Sequence, residues 1–240
     1  MTSILRSEWL KLRRSKMWLL LFVSPLIAGL SGSMISMPAD LPPWLYLQTT
    51  VFYTHALLLL PLLTGVFSAF ICRYEHIHGG WKQLLALPVS RSSVYLVKLI
   101  VVMWLLAAVQ LLTAASLYAA GLIQGVEESF PWSSVLINIA AGWAACLPLA
   151  ALQLAVSTAW SSFAAPLAVN VIFTLPNLLV AHSRDYGPFY PWVQPLLAMM
   201  PGHLEIGAFM VPPQTLFTVV LVSFAIFLAG GLAYFTRRAI

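Results

Sequence analysis

The sequence predicts an all-α polytopic membrane bundle of six transmembrane helices, with an N-terminal interfacial helix and both termini cytoplasmic. Three observations carry that expectation. Of the 240 residues 61% are hydrophobic and 8% charged, whereas a soluble domain carries roughly 25% charged residues. Five long stretches, 17–38, 41–72, 99–126, 129–183 and 206–236, contain no Asp, Glu, Lys or Arg. The basic residues, finally, gather on alternate connections between those stretches.

A hydrocarbon layer about 30 Å thick needs roughly 20 apolar residues per helix. The stretch 129–183 is too long for one crossing, and its small and polar residues around 157–166 mark a turn that divides it in two, giving six spans. A barrel is excluded because the runs do not alternate, so each backbone must bond within its own helix. Residues 17–37 are longer than the apolar core of a signal peptide and are expected to persist as a helix. With cytoplasmic termini, the inner side holds Arg6, Lys11, Arg13, Arg14, Lys16, Arg73, Lys82, Arg91, Lys98, Arg237 and Arg238, eleven of the twelve basic residues. The outer side keeps Arg184 with Asp40, Glu127, Glu128, Asp185 and Glu205, as the positive-inside rule demands. The net charge of +5 thus reflects orientation and contact with anionic membrane lipids, and points to no nucleic-acid partner.

Ahead of the first span, residues 1–16 place Leu5, Trp9 and Leu12 at helical spacing with Glu8 among them, the pattern of an interfacial amphipathic helix. The stretch 73–98 leaves the bilayer on the inner side, and within it Trp81, Leu84 and Leu85 stand at i, i+3 and i+4. Such a patch is expected to be exposed and to meet a protein partner or the headgroup region. The outer segment 181–214, rich in Pro and aromatic residues, contains an apolar stretch at 193–200 too short to cross, so interfacial or re-entrant packing is expected.

The spans offer little chemistry. An intramembrane catalyst or metal site needs ionisable groups facing a cavity, and no catalytic set and no metal set is apparent. His55 stands alone inside a span and suits an interhelical hydrogen bond better than catalysis. His76 and His78 lack zinc-site spacing, Glu127 and Glu128 fit a solvated acidic loop, and His203 with Glu205 fits a polar turn before the last span. Gln110, Asn138, Gln153, Asn170 and Asn177, with the small pairs Gly29/Ser33 and Ala141/Ala145, suit helix packing or the lining of a pathway. Cys72 and Cys146 form no disulfide or metal framework and read as small buried residues. No phosphate-binding glycine loop is present, so energy for uphill movement has to come from elsewhere.

The opening EWLKLRRSKMWLLL, the inner segment YEHIHGGWKQLLALPVSRSSVYLVKL and six spans over this length resemble the ABC-2 type permeases, in particular the small lantibiotic-immunity and bacitracin-resistance permeases. The resemblance implies one membrane domain over 1–240, with 1–16 as an elbow helix, 73–98 as a cytoplasmic coupling loop and 181–214 as an extracytoplasmic re-entrant segment. Arg73, Glu75, Gly79, Gly80, Trp81, Leu84, Leu85 and Pro88 then become ATPase-coupling positions, with Glu75 and Arg73 able to pair with partner charges. It further implies a separate ATPase in two copies that holds ATP and Mg, no cofactor on this chain, and a second permease, identical or related. The cargo so implied is a peptide antibiotic or another amphipathic molecule, exported across a bacterial cytoplasmic membrane. A stand-alone carrier or channel, or a structural scaffold, is compatible with the same layout.

Overall fold

The computed structural model describes residues 2–13, 15–38, 40–77, 80–86, 88–200 and 207–237. All regular structure among them is helical. Helix α1 (Thr2–Arg13) precedes the first span, in which a single 3₁₀ turn, Lys16–Leu19, leads into α2 (Leu20–Met34). Ser15 starts that turn by accepting a hydrogen bond from the Met17 backbone N–H at 3.3 Å, the usual task of a capping hydroxyl.

The second span, Pro43–His76, consists of α3 (Pro43–Thr54), one wide π-turn at His55–Leu59, and α4 (Leu60–His76). The short α5 (Gly80–Leu85) leads to the third span, α6 (Arg91–Ile123), 33 residues long. At about 1.5 Å per residue α6 measures about 50 Å, well beyond a hydrocarbon layer of about 30 Å. The expected loop 73–98 is therefore much shorter. Helix α4 continues to His76, and α6 begins at Arg91, where Ser90 Oγ caps it by accepting from Ser93 N at 3.2 Å.

The fourth span joins α7 (Trp132–Ala145) to α8 (Leu147–Ala159) across Cys146. The anticipated division follows, since α9 (Ala164–Thr174) and α10 (Asn177–Val180) form a separate apolar segment, Ala164–Val180. Its 17 residues come to about 26 Å, at the lower end of what can cross, whereas the other five spans run from 19 to 34 residues and are long and apolar enough to cross. Helix α12 (Pro213–Arg237) closes the described chain.

Helix α2 lies along α6, and α4 packs against α8 and α9, while α12 packs against α8. The outer faces of α2 and α12 leave Leu26, Leu30, Leu221 and Ile226 exposed, as a surface meeting acyl chains requires. The described residues after α10 leave Tyr186 and Phe189 exposed and then turn inward. Helix α11 (Gln194–Met199) packs on α7 and buries Leu196, Met199 and Gln194.

Candidate functional site

Charges cluster where the inner ends of two spans, α4 and α6, meet α1. Ile4, Glu8 and Leu12 share one face of α1, and all three are buried. A run-based reading puts the apolar stripe on Leu5, Trp9 and Leu12; instead Leu5 is half-buried and Trp9 46% exposed. Glu8, 2% exposed, points inward because it meets two lysines. Its Oε1 lies 2.9 Å from Lys11 Nζ and 3.1 Å from Lys98 Nζ. Glu75, 3% exposed, places its own Oε1 on Lys11 Nζ and, at 3.0 Å, on Lys98 Nζ.

The result is a closed ring, Lys11–Glu8–Lys98–Glu75, of alternating sign and zero net charge. It joins α1, α4 and α6. Lys98 is 0% exposed and spends its three donors on Glu8, Glu75 and the Ile71 carbonyl at 3.0 Å, the full capacity of an ammonium group. Burying such charges is tolerable only with this degree of pairing.

Helix α5 sits against the ring. A side chain at position 80 would put its Cβ 2.9 Å from both the Glu75 Cα and the Tyr74 carbonyl oxygen, so glycine is what lets α5 turn back onto the end of α4. Trp81 then points inward. It is 7% exposed, packs edge-on to His76 and Phe235 with centroids 5.7 and 5.1 Å away, and has Lys98 Nζ 5.5 Å from its ring centroid. Its indole N–H donates to His76 Nδ1 at 3.3 Å, while His76 Nε2 lies 2.8 Å from the Ser157 carbonyl. That pair of partners fixes the Nε2–H tautomer of His76. A cleft of about 430 Å³ opens beside α5, lined by Ser7 and Lys11 of α1, Tyr74 and Glu75 of α4, and Gln83 and Leu84 of α5. Glu75 Oε2 is buried and has no hydrogen-bond partner among the described residues.

Deeper in the bundle the polar groups are neutral. His55 Nδ1 lies 2.6 Å from Ser24 Oγ and 3.4 Å from Thr113 Oγ1, which makes this histidine a bridge among the first three spans. Pro61 has no N–H to offer the Leu57 carbonyl four residues earlier, and Asn177 Nδ2 fills that place at 2.7 Å. Asn170 Nδ2 donates to the carbonyls of Pro61 and Leu62 at 3.0 and 3.1 Å. Asn170 Oδ1 accepts from Gln153 Nε2 at 3.1 Å and from the Trp192 indole at 2.8 Å. Any side chain at Gly65 would strike Asn170, so glycine admits the amide to the α4 backbone. Gln110 Nε2 contacts Met199 Sδ at 3.4 Å. Asn138 is half-buried on α7. Among the described residues, no three His, Cys or carboxylate side chains converge in a way that could hold a metal ion.

The family model described as an ABC-2 family transporter protein matches residues 4–177, well over half of the 240 residues. The chain belongs to the ABC-2 transporter family. No curated protein matches it at a significant level. The match begins inside α1, includes α5 and all four ring residues, and ends at the first residue of α10.

The positions that the ABC-2 resemblance singles out differ in what they do. Glu75 is committed inside the chain, to Lys11 and Lys98, and its Oε1 is not free for a partner. Arg73 is exposed, with its guanidinium carbon 5.5 Å above the Phe163 ring. The expected exposed patch is corrected at Trp81, which is core because Gly80 brings α5 so close to α4. Leu84 is half-buried and Pro88 exposed. Gly79, the Leu85 side chain, His78, His203 and Glu205 lie outside the described residues. Outward-facing positions on and after α5 are Lys82, Gln83 and Ala86. Sequence reasoning missed Lys98, treating it as the last loop residue, although the Ser90 cap eight residues earlier signals that the helix has begun.

Proposed function

We propose that this ABC-2 permease is the membrane half of an ATP-driven exporter in a bacterial cytoplasmic membrane. A separate ATPase chain, present in two copies and carrying ATP and Mg, docks on α5 and the connection 77–90, with α1 as the elbow. A second permease, identical or related, completes the pathway, and the cargo is a peptide antibiotic or another amphipathic molecule. One observation carries this reading. Trp81 of α5 packs over Lys98, so a push on α5 reaches α1, α4 and α6 through a single ring of ion pairs. The largely uncharged interior suits an amphipathic cargo better than a small ion.

Co-purification tests the docking face. Lys82→Glu combined with Ala86→Glu alters only exposed positions and is expected to leave the permease folded while the ATPase no longer co-purifies and ATP-dependent resistance is lost. An intact complex with full resistance would remove α5 as the coupling element. Trp81 is unsuitable for that test, because its replacement disturbs the core as well as any contact.

A further inference from the structure

A second, apolar site lies on the opposite flank of α1 from the cleft. A groove of about 470 Å³ runs between α1 and α6, within the range of small-molecule sites. Its α1 wall is Leu5, Trp9 and Leu12, and its α6 wall is Trp104, Leu105 and Ala108. Trp18 forms its end, edge-on to Trp9 at 5.5 Å and anchored by its indole N–H on the Leu12 carbonyl at 3.0 Å. Among the described residues, Arg6 is the one charged residue of the lining.

Depth and charge identify the occupant. Leu105 is seven residues further along α6 than Lys98, about 10 Å nearer the bilayer centre, so the groove descends from the ring into the inner leaflet. Trp9 and Trp104 are 46% and 63% exposed, and their indoles flank the opening at a depth where aromatic side chains collect. The only acid of α1, Glu8, is buried and neutralised by Lys11 and Lys98. Arg6, Arg13 and Lys16 are exposed, and the outward face of this segment is therefore purely cationic. An apolar channel under a cationic rim, opening toward acyl chains, is complementary to an anionic amphiphile.

We propose that the groove binds one anionic glycerophospholipid of the cytoplasmic leaflet, an acyl chain lying between α1 and α6 and the phosphodiester meeting Arg6. The site wedges α1 against α6 on the side where the ion ring makes no contact, and it is independent of ATPase docking. Native mass spectrometry of the permease in neutral detergent, offered equimolar palmitoyl-oleoyl phosphatidylglycerol and phosphatidylcholine, tests it. The expected spectrum retains one phosphatidylglycerol per chain. Arg6→Gln should cut the preference over phosphatidylcholine about fivefold, the effect of one basic residue near an anionic headgroup. Ala108→Trp, which fills the groove, should abolish the adduct. Equal retention of the two lipids, an adduct that survives Ala108→Trp in folded protein, or a groove closed by a second chain, seen as a lipid-free dimer that Ala108→Trp dissociates, would each overturn the proposal. If Ala108→Trp aggregates, the exposed Arg6→Gln substitution decides alone: an unchanged preference sinks the site.

Discussion

The inner end of α6 and its middle solve the same problem with different chemistry. Lys98 and Thr113 are about 22 Å apart along one helix. Around Lys98 the buried polar groups are fully charged and balance one another two against two. Around Thr113 and across to α9 they are hydroxyls, an imidazole and amides that bond mostly to backbone carbonyls. The difference follows from depth. Ionised groups cost several kcal/mol each in a low-dielectric interior and survive where partners are dense and headgroups near, whereas neutral groups cost less to bury and gain correspondingly little.

That contrast can be broken at its strong end first. Lys98→Met leaves Glu8 and Glu75 sharing Lys11 alone, with one negative charge uncompensated in a buried site, and should cost about 3–5 kcal/mol of stability. It would appear as a large drop in the unfolding midpoint in detergent. Adding Glu75→Gln to Lys98→Met removes one stranded charge and should recover part of the loss; a double variant no better than the single would show that lost packing of the lysine stem matters more than charge.

An intermediate effect is expected at Asn170→Leu, which strands the Trp192 indole N–H and takes the second donor from two α4 carbonyls. A loss of about 1–3 kcal/mol is expected, together with a changed emission from Trp192, which stacks on Phe173 at 5.1 Å. The smallest change should come from Ser24→Ala. His55 keeps its contact to Thr113, so the loss should be roughly 0.6 kcal/mol and no more than about 1.7. A Ser24→Ala loss equal to that of Lys98→Met would erase the distinction between the two regions.

Much of the bundle is legible in the amino-acid sequence, because crossing a bilayer imposes length and hydrophobicity directly on the chain. The runs and the dip at 157–166 locate the spans, and the neutral residues His55, Asn170 and Asn177 are visible as departures from apolar composition. What they bond to is not visible there, since the acceptors are carbonyls released or approached at Pro61 and Gly65. The ion ring is hidden for a related reason. A search for charge-free stretches ends each span at its first charge, so Glu75 and Lys98 fall into the connection 73–98 while belonging to helices, and the expected interfacial helix that holds Glu8 shows no partner for it. The direction of Trp81 is likewise unreadable, because i, i+3, i+4 spacing tells that three residues share a face without telling whether that face looks in or out. Gly80 decides it, through a contact with residues 74 and 75.

The separation of the ring's members along the chain has a consequence for how the protein is made. Glu8 and Lys98 are 90 positions apart, so at synthesis rates of about 5–20 residues per second Glu8, with Lys11 beside it, emerges on the order of ten seconds before the second lysine of the ring. Through that interval the seat of α1 lacks its buried cation, and α1 stays at the headgroup surface as an amphipathic segment. Closure of the ring can then take place only once the third span has been inserted, which makes the docking of α1 a late event and a marker that the first half of the bundle has assembled in the right order.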